Sequence, residues 1–408
     1  MKCSFFRLFS GLVVVGLSLS FGTPEAKATP RMSLTTGAPC STCHVNKQGG
    51  GMRTEIGWGS IAYTGMVDYE DLGIDWLADL YTNEIVEGRV SVGLDARLQM
   101  ARLGQPTVEL GDDGEPQVIA PSRTVFPMQI QPYLAVEVLD WLKLYGTYSI
   151  GAGTFRGDVC DTPFAGQSCY EAQAIIDPGP RRPTFRVGMI QPSVGIRHDD
   201  HTMLIRQDVS RSRGMFIPIN YAELGVEASY QPRYWVRGEV GGFRAANLSR
   251  AIGNENVVGL NDPAYLGRIS FMPRFELGEG SYFGTIGASG FGAGEFHLQN
   301  LFVGMGLLDR AAVFLEAARF TEGSMDQKLG LNLSSTLSIQ AFEWLIFQGR
   351  VERGWARVDG LEEFETRAAS VGISYYPIPY VKLMPEYRLI QTDTYAMGQY
   401  TAQLHLFF

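Results

Sequence analysis

The residues with the clearest chemical potential are two cysteines and a histidine near the start of the chain, in the order Cys40-Ser41-Thr42-Cys43-His44. This C-x-x-C-H spacing is the attachment signature of a c-type haem. Two thiols add across the two vinyl groups of one porphyrin, and the adjacent histidine lies beneath the iron as its proximal ligand. The motif therefore predicts one covalent haem c on Cys40 and Cys43, with His44 bound to the iron.

Three other interpretations of the motif compete with haem attachment. A thioredoxin-type redox pair needs a βαβ context, and none is predicted around the motif. A structural zinc site needs a second pair of ligands at suitable spacing, and none lies nearby in the sequence. A chance match is disfavoured because the motif follows an export signal, and haem attachment needs an exported chain with free thiols.

The export signal occupies residues 1–28. Lys2 and Arg7 form a basic start, residues 11–17 are apolar, and Ala26-Lys27-Ala28 offers a cleavage site. The apolar run is too short to span a bilayer as a stable anchor. Removal of these residues changes the formal charge from −9 to −11, because they carry three basic residues and one acidic residue. An acidic exported protein is a poor candidate for binding nucleic acid.

Residues 29–86 form the predicted haem-bearing segment and the connector that follows it. His44 is the only histidine in this segment, so a second axial ligand must be a methionine of the segment, a histidine from elsewhere, or absent. The segment offers Met32, Met52 and Met66, and the rest of the mature chain offers His198, His201, His297 and His405. The expected topology places all of these histidines except His297 near the periplasmic mouth. The retained candidates for the distal ligand are Met52, His198, His201 and His405.

Residues 87–408 alternate between apolar and polar residues with a period of two, which predicts mainly β structure. The strands are long enough to cross a bilayer when tilted, short turns alternate with longer polar loops, and the last strand ends on Phe408. These features predict an antiparallel outer-membrane β-barrel, porin-like, of about 16 strands. The predicted strands start near residues 87, 124, 141, 184, 201, 219, 233, 264, 281, 298, 311, 328, 343, 365, 379 and 397.

The polar face of these strands should line the lumen, with charges such as Arg97, Glu137, Arg237 and Arg350. A barrel of this size leaves an aqueous lumen unless something fills it. A single haem held far below the membrane could not relay electrons across it. We therefore expect the haem-bearing segment to enter the lumen from the periplasmic side.

Two further cysteines, Cys160 and Cys169, lie close together in a predicted loop. In an oxidising compartment a short-loop disulfide is the expected state of such a pair. A second metal or redox site is the alternative.

The layout of the chain resembles a known family. A signal peptide, one C-x-x-C-H segment and a C-terminal porin-like barrel, with the run from Gly37 to His44 and the Gly-rich stretch to Trp58, are similar to the fused outer-membrane monohaem cytochrome–porins (Cyc2-like iron-oxidising family). The resemblance covers the whole mature chain in layout. It implies oxidation of extracellular Fe(II) and delivery of electrons to a periplasmic c-type cytochrome.

Three classes of function fit the sequence to different degrees. The first is an electron conduit of the outer membrane, with electron export to an extracellular acceptor as its close variant. The second is a diffusion porin whose haem is structural or sensory. The third is a soluble periplasmic cytochrome enzyme with a β domain. It would need catalytic residues around an open haem face, and the sequence alone supports no peroxidase-like His/Arg arrangement.

Cell fractionation separates the third class from the other two. We expect a covalent haem stain, retained in a denaturing gel, to travel with the outer membrane, because the barrel would carry the haem with it. A stained band that stays in the soluble periplasmic fraction would contradict the conduit and the porin alike.

Overall fold

The alternating sequence forms sixteen antiparallel β-strands in the computed structural model of the chain. The largest sheet has 19 β-segments. Two of these segments are continuations of the strand that precedes them in the chain, and a third, Glu84–Ile85, is a two-residue strand before the barrel. The remaining 16 strands make up the barrel. The structure describes residues 30–36, 38, 40–45, 49, 51–62, 64–68, 70–73, 84–86, 88–103, 107–110, 116–119, 123–151, 166–179, 181–197, 200, 202–211, 214–218, 220–277, 280–307, 310–323, 327–359 and 363–408.

The strands follow one another around the barrel in chain order, and each pairs with its neighbours in antiparallel register. The strand that ends at Tyr148 continues, after a short break, as Ile150–Gly151, and the strand that ends at Phe271 continues as Arg274–Leu277. The strands are β1 (Val90–Leu103), β2 (Arg123–Leu139), β3 (Leu142–Tyr148), β4 (Tyr170–Ile176), β5 (Thr184–Ile190), β6 (Glu223–Arg233), β7 (Val236–Arg244), β8 (Pro263–Phe271), β9 (Gly280–Ala293), β10 (Phe296–Leu307), β11 (Ala311–Glu322), β12 (Lys328–Phe342), β13 (Leu345–Val358), β14 (Glu363–Tyr375), β15 (Val381–Thr392) and β16 (Ala396–Phe407).

The barrel closes by pairing of its first and last strands. β1 and β16 are antiparallel from Asp95 opposite Phe407 to Leu103 opposite Gln399. The ladder extends to Phe408, whose backbone exchanges hydrogen bonds of 2.8 and 2.9 Å with Leu94. Closure leaves no sheet edge, which is required because unpaired backbone groups cannot be left in hydrocarbon.

The two faces of the wall differ as the alternation predicts. Along β10, Phe296, Leu298, Asn300 and Phe302 are buried in the lumen, while the residues between them face outward. Leu301, in the middle of this strand, is 65 % exposed. The predicted lumen charges are confirmed, because Arg97, Glu137, Arg237 and Arg350 all lie on the inward-facing positions of their strands.

One predicted strand is wrong, and one strand of the barrel was not predicted. The strand expected near residue 201 is wrong, because the residues between β5 and β6 form a long loop that folds into the lumen. A strand that was not predicted, β4, lies within residues 152–183, which were expected to be a loop. The two errors cancel in the count, so the barrel still has 16 strands.

We call residues 191–222 the inner loop. It contains a 3-10 turn at Leu204–Arg206 and a short hairpin that pairs Gln207–Asp208 with Gly214–Met215. With α4 (Ala246–Ile252), it supplies apolar side chains to the largest buried cluster, which includes Phe216. Because β5 runs away from the periplasmic turns, the inner loop enters the lumen from the outer side.

Among the described residues before the barrel there are three short helices: α1 (Pro30–Thr36), α2 (Cys40–Cys43) and α3 (Glu55–Ala62). Together with the described residues up to Asp68 we call them the N-terminal plug. Their apolar side chains are buried against inward-facing residues of the barrel. The expected entry of this segment into the lumen matches its position. The predicted signal peptide and residues 74–83 of the predicted connector lie outside the described residues.

Across the described ranges, no helix has the length and apolar character needed to cross a membrane.

The outward face of β10 predicts that the cost of a charged substitution depends strongly on its depth in the membrane. Replacement Leu301→Arg should lower the free energy of unfolding by about 2–4 kcal/mol, because the charge falls at the middle of the lipid-facing band. The matched replacement His297→Arg, near the outer end of the same face, should cost about 0–1 kcal/mol. Equilibrium denaturation from phospholipid vesicles measures both values, and equal costs would contradict the assigned membrane position.

Candidate functional site

The haem motif lies at the centre of the N-terminal plug. α2 carries both cysteines, and the His44 backbone N–H donates to the Cys40 carbonyl over 2.9 Å, which ends the helical turn. His44 is 4 % exposed and Cys43 is buried, and neither Cys40 nor Cys43 forms a disulfide. The structure therefore brings the three predicted residues together as one turn with two free thiols.

The chain after the motif folds back over it. The Val45 backbone N–H donates to the Met52 carbonyl over 3.1 Å, and His44 forms an antiparallel bridge with Arg53. At the tip, the position of a Cβ on Gly49 would lie 3.5 Å from Cβ and 3.6 Å from Sγ of Cys40, and the backbone there has φ +84°. Gly49 thus lies against Cys40 in a left-handed conformation that glycine adopts without strain.

α3 packs closely on the motif. A Cβ on Gly57 would collide with the Cys43 carbonyl oxygen, so only glycine allows this approach. Thr54 fixes the contact from the other side, because its hydroxyl donates to the Thr42 carbonyl over 2.6 Å and its backbone N–H to the Cys43 carbonyl over 3.1 Å. The turn of Cys40–His44 is consequently held by its neighbours in the plug.

The plug touches the barrel wall on three sides, and the first is β2 and β3. Met52 is 1 % exposed and packs with Val45 against Tyr133 and Tyr145. The Tyr145 hydroxyl is hydrogen-bonded to the backbone of Met52. Because residues 44 and 53 are bridged, Met52 and Val45 occupy the opposite face of this turn from His44.

The second and third sides are β10–β11 and β13–β16. Leu34 of α1 packs against Phe302 and Phe314, and a Cβ on Gly306 would collide with the Leu34 carbonyl. Trp58 of α3 is 2 % exposed and lies against the aromatic rings of the last strands. Its contacts are with Tyr380, whose ring centroid is 5.9 Å away, and Phe408, at 6.4 Å.

A cavity of about 640 Å³ opens beside Cys40, between the plug and the wall of β6–β10. Arg237 and Arg268 line it, and both are paired with one carboxylate, Glu239, over 2.8 and 3.0 Å. Two guanidinium groups share one negative charge here, so the cavity carries a surplus positive charge. Nε of Arg268 is buried and has no hydrogen-bond partner among the described residues.

Burial controls the protonation of the two thiols. It raises the pKa of Cys40, although Arg237 and Arg268 act in the opposite direction. Burial and the neighbouring Cys40 raise the pKa of Cys43, with Arg53 opposing them. Both cysteines are therefore held as neutral thiols at neutral pH.

The residues present fit a c-type haem. Two free, protonated thiols and a buried imidazole stand in the required order, and the adjoining cavity falls within the roughly 300–1,000 Å³ usual for cofactor and ligand sites. The surplus positive charge of Arg237 and Arg268 complements the propionate groups that such a cofactor carries. Sequence reasoning named Arg237 as a lumen charge but missed Arg268, which the topology brings beside it.

The candidates for a distal ligand are placed differently from one another. Met52 is in the plug but points to β2 and β3, and His405 faces the lumen from β16 with Nε2 2.9 Å from Oδ2 of Asp95. His198 and His201 lie outside the described residues, within the inner loop. Of the weaker candidates, Met32 is packed in an apolar cluster and Met66 is 48 % exposed at the rim, while His297 faces outward on β10.

The disulfide prediction concerns the loop before β4. Cys169 is disulfide-bonded. Cys160 lies outside the described residues, so the pairing of Cys160 with Cys169 stays a prediction.

The inner loop borders the site from the outer side. Gly195–Arg197 line the cavity at Cys40, and Ile196 packs on Leu34 of the plug. Polar side chains on the opposite walls hold the loop in place. These contacts, loop residue first, join Gly195 to Ser289, Ile196 to Glu316, Asp200 to Arg350, Leu204 to Glu352 and Asp208 to Lys328.

Comparisons with known proteins place the fold. No protein-family model matches the chain, and no curated protein sequence matches it. OprB of Pseudomonas putida is similar in structure, with 12% identity and a TM-score of 0.53 over 85% of this chain and 98% of that chain. The outer membrane channel DcaP of Acinetobacter baumannii has 12% identity and a TM-score of 0.50, over 78% and 97%. An anion-selective porin from Comamonas acidovorans has 8% identity and a TM-score of 0.50, over 78% and 99%.

These likenesses show the fold. Together with the apolar outward face and the closed sheet, they establish a porin-like outer-membrane β-barrel fold.

The ion pair between Asp200 and Arg350 predicts how firmly the inner loop is held. Nη1 of Arg350 lies 2.6 Å from Oδ2 of Asp200, and this guanidinium holds the pKa of the carboxyl well below its usual range despite burial. The pair therefore stabilises the loop fully above the unfolded pKa of about 3.9, and the stabilisation is lost as the pH falls through the lower folded value.

Replacement Asp200→Asn should weaken the loop by about 1 kcal/mol at pH 7, a value reduced for the partial exposure of the carboxylate. Hydrogen–deuterium exchange of residues 200–211, corrected for intrinsic rates, measures the change. Replacement Asp359→Asn, in an exposed outer loop, is the control and should leave the exchange unchanged. Equal exchange in the wild type and the Asp200→Asn variant would show that the ion pair does not stabilise the inner loop.

Proposed function

We propose that this protein is an electron conduit of the outer membrane that carries one covalent haem c inside the periplasmic end of its barrel. In this proposal it oxidises Fe(II) at the cell surface and passes the electrons to a periplasmic c-type cytochrome or a similar carrier. The membrane partner is the lipid of the outer membrane around the barrel wall.

One observation carries the proposal: the turn of Cys40, Cys43 and His44 lies inside the lumen and beside a cavity of suitable size. A motif on a tethered periplasmic domain would have no such wall around it. Inside a barrel, the same motif lies at the boundary between the periplasm and the channel. This position supports transfer of charge through the membrane wall.

Each residue of the site has a role in the proposal. Cys40 and Cys43 would form the two thioether links, and His44 would be the proximal ligand. Arg237 and Arg268 would neutralise propionate charge, because Glu239 cancels only one of their two charges. When bound, the haem would supply one-electron chemistry, accepting an electron from a donor and giving it to a carrier.

The packing of the lumen favours a conduit over a diffusion porin with a structural or sensory haem. The plug occupies the periplasmic end, and the inner loop with α4 fills much of the outer half with buried apolar residues. The polar contacts that hold the inner loop join it to β9, β11, β12 and β13. Solutes would have to displace these elements, whereas electrons would not.

Addition of Fe(II) to the purified, oxidised protein tests the proposal. The visible spectrum should change to that of a reduced c-type haem, with one Fe(II) oxidised for each haem reduced. Replacement Cys43→Ser should abolish the double thioether attachment, detected by mass and by haem stain. Met66→Leu is the control and should leave the spectrum unchanged, because Met66 lies at the exposed rim against Tyr375.

The possible failures are distinct. If dithionite reduces the covalent haem but Fe(II) does not, iron oxidation is refuted and the electron conduit stands. If the purified protein carries no covalent haem, both iron oxidation and the electron conduit are refuted. Replacements Met52→Leu and His405→Gln, compared spectroscopically with the wild type, would identify the distal ligand if either residue supplies it.

A further inference from the structure

A second recess opens on the periplasmic rim beside the cavity at Cys40. It has a volume of about 740 Å³ and lies between the β4–β5 and β6–β7 turns. Five of its lining residues are basic and two are acidic. The basic residues are Lys143, Arg181, Arg182, Arg233 and Arg237, and the acidic residues are Asp140 and Asp177. We call this surface the basic recess.

The positive charge of the basic recess is compensated only in part, because five basic residues line it and two acidic ones. Arg181, Arg182 and Arg233 are exposed, and they form no ion pair with any other residue that the structure describes. Lys143 is paired with Glu137 over 2.6 Å, and Arg237 with Glu239. These three exposed arginines form a local positive surface in a chain whose formal charge is −9.

The turn that carries two of these arginines is built to hold them in place. The Asp177 carboxylate accepts hydrogen bonds from the Gly179 backbone N–H and the Thr184 hydroxyl, both over 3.3 Å. Arg181 has a left-handed backbone with φ +63°, a conformation that is strained for a residue other than glycine. Strained residues of this kind cluster at functional sites.

The basic recess is continuous with the cavity at Cys40. Gln231, Tyr234 and Arg237 line both spaces. Tyr234 is 73 % exposed at this junction, and exposed tyrosines are enriched in protein–protein interfaces. A partner seated in the recess would therefore lie next to the site proposed for the haem.

The opposite side of the rim carries the opposite charge. The plug leaves the lumen at the β14–β15 turn, where the Met66 backbone N–H donates to the Tyr376 carbonyl over 2.9 Å. Asp68, Glu70 and Asp71 follow and are exposed. The periplasmic mouth is thus polarised, with a basic side at β3–β7 and an acidic side at β14–β15.

We infer that the basic recess is the docking surface for the periplasmic electron carrier, and that the carrier presents an acidic face. The inference rests on the proposed function, because it is the haem at Cys40 that gives the surface an electron to transfer. One electron passes from the reduced haem to the oxidised carrier, and no proton or bond is exchanged. The acidic side of the rim would repel an acidic face and so fix its orientation.

The test uses the full-length protein in detergent and two kinds of probe. The first is electron transfer from the chemically reduced haem to anionic ferricyanide or to cationic tris(phenanthroline)cobalt(III), each of which takes one electron. The second is binding of fluorescent hexaglutamate, which needs no haem. The variant is Arg181→Glu with Arg182→Glu, and the control is Arg244→Glu with Arg250→Glu on the outer side, which changes the net charge equally.

In the Arg181/Arg182 variant, the rate with ferricyanide should fall about tenfold, and the rate with the cobalt complex should rise. The Kd for hexaglutamate should rise about tenfold, and higher salt should weaken binding to the wild type. The control should match the wild type in each measurement.

The outcomes separate the two proposals. If haem is present and the Arg181/Arg182 variant equals the control in both the rates and the binding, the docking surface is refuted. If hexaglutamate binding depends on these arginines but no haem is attached, the acidic partner surface stands and the proposed conduit fails.

Discussion

The need to satisfy every backbone hydrogen bond in lipid determines the rest of this structure. It forces the strands into a closed cylinder, and sixteen strands enclose a lumen too wide for wall side chains to fill. The chain fills that space with its own segments, the N-terminal plug from one end and the inner loop from the other. The candidate site exists because the plug brings Cys40, Cys43 and His44 into a space that closure created.

The polar lining of the lumen makes this filling specific. Charged side chains on inward positions cannot be buried without partners, and here the partners are supplied by the inserted segments and by neighbouring strands. Glu316 accepts from the inner-loop backbone at Ile196, and Glu352 from Leu204. Around Cys40 the local charge is positive, because Glu239 is the shared ion-pair partner of Arg237 and Arg268. The same lining that would suit a solvated channel therefore binds the segments inside it.

Much of the fold could be predicted from the sequence, because a period of two is a local signal. β10 shows it without interruption, and the closing strand shows it up to Phe407. β4 was missed because it has only 7 residues and follows a long polar stretch. The inner loop cannot be predicted in this way, because its anchors leave no local pattern: Leu204 and Glu352 are 148 residues apart. Likewise the motif predicted the chemistry of Cys40, but only the folded barrel places Arg268 near it.

The contact of Trp58 with the seam of the barrel couples the plug to barrel closure. The ring lies against Phe408, and a Cβ on Gly93 of the first strand would lie 3.4 Å from it, so the tryptophan covers the join between the two ends of the sheet. The plug therefore packs on residues from both ends of the sheet at once. Closure of the barrel completes the surface that buries Trp58, and the buried ring in turn joins the plug to both terminal strands.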